Sequence, residues 1–296
     1  MQPSRFAIKS NSYRLAFALL LIASVPLAQA QVAPAATAPA AAAPAPALDT
    51  SGTIYEPFTI RLGGFLISSI KTTLSLSTSN GQVGDEIDLV KTLGGKDSLN
   101  VFRADAEWHF AAKHKVQLAY FDINMEASKS ISKEIHWGDQ VYPVNSTLNS
   151  QFKTTVYKLN YGYIFHKSAK HEVSFLAGLH ITSITTGLSL PNVGKAEKVS
   201  VTAPLPVFGF EWKALLAEKL TSYVSYQYFG LSVDDKYKGH LSDFQALLDY
   251  HFTSNWSLGA GYNRYVLNAS VKGDRGLELK LKHNYNGLLL FVSTSF

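Results

Sequence analysis

The chain contains no cysteine. That excludes a disulfide scaffold, a thiolate metal site, a cysteine nucleophile and lipid anchoring through an N-terminal Cys. Charge is sparse as well: Asp, Glu, Lys and Arg make up only 17% of the 296 residues, against 46% hydrophobic and 12% aromatic. A charged, disordered chain is excluded by that balance. Long apolar runs are missing too. The stretch from Leu15 to Leu27 is short for a membrane helix, and nothing after it approaches ~18 continuous apolar residues. The nine His are scattered, none at ligand spacing with a carboxylate cluster, and no Gly-rich phosphate loop joins a strand to a helix. No metal and no cofactor are therefore expected. The net charge of +5 includes Arg5, Lys9 and Arg14 of the leader, so the remainder carries +2 and nucleic acid is not an expected partner.

The N-terminus reads as an address. Basic residues through Arg14, the short apolar run and then Ala28-Gln29-Ala30 have the order of a secretory signal, expected over residues 1–30 with cleavage after Ala30. Residues 31–53 are almost wholly Ala and Pro, with no amphipathic period and little to bury, so a flexible periplasmic segment is expected there.

From residue 54 to 296 the pattern changes. β-rich stretches recur near 58–78, 99–111, 116–128, 150–166, 171–188, 200–213, 220–232, 240–252, 256–271 and 278–296. Short connections (Ala112–Lys115, Lys167–Lys170, Ala214–Lys219, Thr253–Asn255) alternate with longer polar ones. A soluble sandwich has no reason to alternate its connections, whereas a transmembrane barrel has short periplasmic turns and long outer loops. The expected fold is all-β: a transmembrane antiparallel up-and-down β-barrel of about ten strands, with eight or twelve as alternatives and both termini periplasmic.

Alternation within strands points the same way. Phe102, Ala104, Ala106, Trp108 and Phe110 share one face, and Arg103, Asp105, Glu107 and His109 the other. Tyr157 to Phe165 and Phe244 to Phe252 repeat the arrangement. Because the polar set carries full charges, it is assigned inward as an interior network of Arg103, Asp105, Glu107, His109, Asp122, Glu126, Lys158, Glu211 and Asp249, with Tyr120 and Gln227 beside them. Trp108, Phe110, Tyr163, Phe165, Trp212, Tyr250, Phe252 and Trp256 collect next to the short turns. They are assigned to a periplasmic aromatic girdle, where rings with polar tips suit the headgroup layer. The final strand alternates up to Phe296, read as an assembly signal.

These features, with Ile87-Asp88-Leu89, Leu93-Gly94 and Phe102-Arg103-Ala104-Asp105 around the first outer loop, resemble the small outer-membrane barrels of proteobacteria, the OmpA-type and OmpW-type grouping. The resemblance implies the outer membrane as location, its lipid and lipopolysaccharide and the barrel-assembly machinery as partners, and a monomer. It carries architecture and no activity. The 87–94 stretch is expected to form a short loop helix or cap. Asp249-Tyr250-His251 has the Asp-x-His spacing of omptin-type proteases but falls at the periplasmic end. His240-Leu241-Ser242 has the spacing of a lipid A deacylase near the outer rim, and His240 and Ser242 are the only catalytic candidates. A structural or surface-interaction barrel with a largely plugged interior is the preferred function, and enzymatic activity is not expected; a narrow pore for ions or small solutes and a lipid-modifying acyl hydrolase are the alternatives.

Overall fold

The computed structural model describes residues 12–16, 57–77, 84–137, 139–190, 194–233, 237–272 and 278–296. Ten strands form the barrel: β1 (Phe58–Leu76), β2 (Leu99–Ala111), β3 (His114–Ser130), β4 (Thr147–Lys167), β5 (His171–Leu190), β6 (Lys195–Ala217), β7 (Leu220–Val233), β8 (Tyr237–His251), β9 (Trp256–Lys272) and β10 (Glu278–Ser295). Each pairs antiparallel with its neighbours in sequence, and β10 pairs with β1 from Leu279↔Leu76 to Ser295↔Thr59, so the sheet closes. Closure is sealed at the bottom, where Phe58 and Phe296 exchange two backbone hydrogen bonds of 3.0 Å. Ser12–Ala16 lies parallel to Lys198–Thr202 of β6 and falls within the expected signal segment. The Ala/Pro-rich segment lies outside the described residues.

The strands are longer than a membrane requires. β4 has 21 residues, about 65 to 70 Å of extended chain, or about 50 Å of height at the usual barrel tilt. The hydrocarbon layer takes about half of that. The sequence responds by exchanging the polarity of the two faces partway along. On the turn side, Tyr157, Leu159, Tyr161, Tyr163 and Phe165 of β4 point outward and are exposed, while Lys158 and Asn160 point inward and are buried. On the loop side of the same strand, Lys153 is outward and exposed, and Phe152, Thr154 and Val156 are inward and buried. β10 does likewise: Leu288, Leu290 and Val292 outward near the turn, Lys280 and Lys282 outward near the loop, with Leu279 and Leu281 behind them.

This corrects one expectation. Asp122 and Glu126, assigned to the interior, lie on the outer face of β3; Asp122 is 3.8 Å from Lys153, and Glu126 accepts from Gln151 at 3.2 Å. Tyr120 also faces outward, stacked obliquely on Tyr157 at 5.0 Å. Inward from this strand are Phe121, Ile123 and Met125. Above the membrane the outside is water, so polar groups belong there and apolar ones belong within.

The ring is complete only in its turn-side half. Pairing of β2 with β3 stops at Arg103↔Phe121, and pairing of β6 with β7 stops at Phe208↔Tyr228, although all four strands continue. Beyond those points β3–β6 form a tall four-stranded sheet facing the other six strands across an apolar core of Ile70, Leu74, Phe152, Ile184, Leu267 and Leu281 among others.

Candidate functional site

The interior is filled in three levels. The lowest is a charge cluster assembled from seven strands. Lys115 of β3, its side chain fully buried, donates to Glu172 of β5 at 2.7 Å and to Glu211 of β6, and lies 3.8 Å from Glu107 of β2. Lys213 of β6 donates to Glu107, and Gln117 bridges Glu107 and Glu211. His109 stands 3.7 Å from Glu107 and 3.5 Å from Glu172. A little higher, Lys158 donates to Asp243, Asn263 donates to Asp243 at 2.8 Å, and Arg103 grips Asp105 through Nε and Nη2 at 2.9 and 2.8 Å. Arg61 is 3.6 Å from Asp249, which also accepts from Ser257 and Ser293 at 3.4 Å. Five full cations thus meet six carboxylates with His109 among them, close to neutrality in a setting where an uncompensated charge costs several kcal/mol. A cavity of about 40 Å³ remains between Arg61, Arg103, Glu107, Lys158 and Asp243. It has room for a few waters and none for a larger solute.

The second level is aromatic. Tyr265 and Tyr285 stack at 4.9 Å, Phe65 and Phe121 meet Tyr285 edge-on at 5.8 and 5.9 Å, and His180 lies flat against Tyr265 at 6.3 Å while bonding Gln227 at 2.8 Å. Arg103 and Lys158 sit 5.5 and 5.7 Å from the Phe121 ring, so the cations below are held against the π-faces above. The apolar core forms the third level.

Loop residues close the top. Asp88 accepts from the amides of Val90 and Lys91, starting a single turn that ends at Gly94, whose φ of +75° a side chain would resist. The turn buries Leu89 and Leu93. The hairpin Ile135–Trp137 with Gln140–Tyr142 buries Ile135, Trp137 and Tyr142, while Val141 and Val144 stay exposed. Asp85 fastens it, accepting from the amide and ring of His136 at 2.7 and 3.1 Å with Lys133 at 3.8 Å. Partial burial raises the Asp85 pKa, but the His136 bonds and the nearby Lys133 charge outweigh it and hold the carboxyl below its ordinary value.

Of the residues assigned inward by sequence, Arg103, Asp105, Glu107, His109, Lys158, Glu211 and Asp249 come together here. Sequence reasoning passed over Arg61, Lys115, Glu172, Lys213 and Asp243. Lys115 and Glu172 were available by parity, each two residues from an inward polar neighbour, Gln117 and Ser174. The girdle residues Trp108, Phe110, Tyr163, Phe165, Trp212, Tyr250, Phe252 and Trp256 all stand exposed on the outer wall, as does Phe296, 5.2 Å from Phe58. His251 bonds Thr221 at 3.2 Å at the turn-side end of β8. His240 and Ser242 share the outer face of β8, His240 lying edge-on to Tyr228 at 5.1 Å with its Nδ1 buried and lacking a hydrogen-bond partner among the described residues. No cluster of three or more His, Asp or Glu side chains placed to hold a metal occurs among the described residues.

No family model and no curated protein matches the chain. Among solved structures, the outer membrane protease OmpT of Escherichia coli covers 84% of this chain and 100% of its own, with a TM-score of 0.50 and 9% identity. OprG of Pseudomonas aeruginosa (TM-score 0.35, 12% identity, 84% and 99% covered) and the attachment invasion locus protein Ail of Yersinia pestis (0.31, 11%, 78% and 97%) follow at lower similarity. The fold is that of Gram-negative outer-membrane β-barrels, a closed ten-stranded antiparallel ring.

Proposed function

We propose that the protein is an integral, non-conducting outer-membrane barrel with a structural or surface-interaction role, holding a rigid head above the membrane. The observation that carries this reading is the filling of the bore: paired charges, then stacked rings, then an apolar core. A pore needs a continuous wet path, and each of these levels interrupts one. On this reading residues 1–30 are a cleaved signal, the termini lie in the periplasm, the barrel-assembly machinery inserts the chain, and the monomer is surrounded by lipid and lipopolysaccharide. The tall β3–β6 sheet and the exposed Val141 and Val144 of the capping hairpin are what a partner on the cell surface would meet.

Planar-bilayer recording and liposome swelling with purified protein test this together. Absence of steady conductance, with sugars excluded from swelling, is the expected result. Large steady conductance from protein that retains its heat-modifiable mobility would replace the plugged barrel with a pore.

A further inference from the structure

The seam between β6 and β7 differs from every fully zipped pair in the wall. The Leu215 N–H donates across β5–β6 to the Lys170 carbonyl at 2.9 Å, and that register runs without a shift from Lys195 to Ala214. Odd-numbered residues of β6 therefore aim their amides at β5, and even-numbered ones at β7. The β6–β7 register, extended past Phe208↔Tyr228, would set Pro206 opposite Gly230 and Pro204 opposite Ser232. Proline has no N–H, so the two donors that would continue the ladder are both missing. The strands part at that point. Burial records the same event: alternation along β6 breaks at Ala203–Pro206, where inward Leu205 is only partly buried against the core, and resumes at Val207.

The level of the break identifies what meets it. Pro206 is in register with Leu179 of β5, and Leu179 with Leu159 of β4, both exposed on the apolar belt. Phe208 and Tyr228, at the foot of the seam, are exposed on the same belt. Outside the seam the solvent is hydrocarbon; inside it are Leu205, Val207 and Phe229, the edge of the apolar core. Gly230 adds no side chain to the opening. Ser12–Ala16 lies higher on β6 and is absent from the processed chain if the signal is cleaved as expected.

We propose that the β6–β7 seam is a lateral slot that admits the acyl chain of an outer-leaflet lipid against Leu205 and Phe229. The proposal rests on the reading of the chain as a membrane-embedded barrel. Pro204 and Pro206 keep the slot from zipping, and the surrounding apolar side chains favour hydrocarbon over water.

The absence of native cysteine makes the test direct. Processed protein carrying Leu205→Cys is reconstituted in dioleoylphosphatidylcholine vesicles and exposed to a pyrenyl maleimide dissolved in the bilayer. Leu179→Cys serves as the lipid-facing control, and Leu267→Cys, inward on the doubly paired β9, as the sealed control. Leu205→Cys is expected to label at a rate near that of Leu179→Cys and about tenfold or more above Leu267→Cys, since a thiol reacts according to its access. Adding Pro204→Thr and Pro206→Val restores both amides and should bring Leu205→Cys down to the sealed rate. Labelling no faster than Leu267→Cys, or indifference to the proline replacements, overturns the slot. Equal or faster labelling by a charged, water-borne maleimide overturns the lipid as occupant. Failure of the barrel reading itself has a separate signature: Leu179→Cys would then not label from the bilayer, and heat-modifiable mobility would be lost.

Discussion

Replacing Lys115 with Met tests whether the buried charges hold the barrel together. Lys115 is the hub of its cluster, contacting Glu172 and Glu211 directly and Glu107 at 3.8 Å. Met preserves most of the side-chain volume, so the change is chiefly electrostatic. After it, Glu107 keeps Lys213 and Gln117, Glu211 keeps Gln117, and Glu172 keeps His109 at 3.5 Å and Lys167 at 3.8 Å. Glu211 thus loses its ammonium partner and Glu172 its short contact. Removing one partner of a buried pair costs about 3–5 kcal/mol, because the remaining charge stays desolvated. That corresponds to a shift of about two to four orders of magnitude in the folded-to-unfolded ratio. The assay is urea unfolding in lipid vesicles, followed by the loss of fast unboiled mobility on gels. Adding Glu172→Gln and Glu211→Gln to the Lys115→Met chain should recover most of the loss, since neutral amides need no counter-charge. A loss under about 1 kcal/mol for Lys115→Met, the range of an exposed pair, would mean the cluster is solvated and would refute the reasoning.

Glu107→Ala should destabilise in the same direction, removing the carboxylate that Lys213 bonds and leaving Gln117 to Glu211 alone, and it should leave bilayers non-conducting because the aromatic and apolar levels above remain. Phe296→Asp places a charge beside Phe58 where the ring closes, so the yield of heat-modifiable barrel in outer-membrane fractions should fall severalfold. Single-cysteine labelling on intact cells should reach Val144→Cys and miss Ser168→Cys; the opposite pattern would invert the topology. For the capping hairpin, the Asp85 pKa is depressed, so its contribution is fully present above the ordinary carboxylate value of 3.8 and is lost as pH falls through the lower folded value. Trp137 fluorescence, read with Trp108, Trp212 and Trp256 replaced by Phe, should therefore hold steady from pH 7 to about pH 5 and shift red only below about pH 4; a shift completed above about pH 5 would refute the assignment to Asp85.

Strand positions and count were legible because turns and alternation are local. The expected strand over 99–111 is β2 residue for residue, and the aromatic end of β4 stands where its spacing put it. The misplacement of Asp122 and Glu126 has a physical origin. Alternation says that two sets of residues face opposite ways, but which set faces inward depends on the medium outside, and that medium changes from lipid to water partway up β3. The marker was in the sequence: apolar residues change parity between Leu118 and Phe121. Lys115, Glu172 and Glu211 were illegible as a cluster because they meet only where the curved sheet brings their strands together across the bore, Lys115 lying 57 and 96 residues from its two partners along the chain. The parting of β6 from β7 left a local trace, Pro204-x-Pro206, whose meaning required knowing which neighbour each amide faced.

The exchange of face polarity also fixes how deep the molecule sits. A barrel with a uniformly apolar exterior could ride up or down in the membrane with little resistance. Here a displacement toward the turn side by one outward repeat, two residues or about 5 Å of height, would carry Lys153, Asp122, Arg264 and Lys282 toward hydrocarbon around the circumference. A displacement the other way would lift Trp108, Trp212 and Trp256 out of their interface. Each misplaced charge costs from under 1 kcal/mol near the interface to about 2–4 kcal/mol at the midplane, and the costs act on many strands at once. The wall thus behaves as a float with a marked waterline, and the height at which the head stands above the lipid is set by the strands themselves.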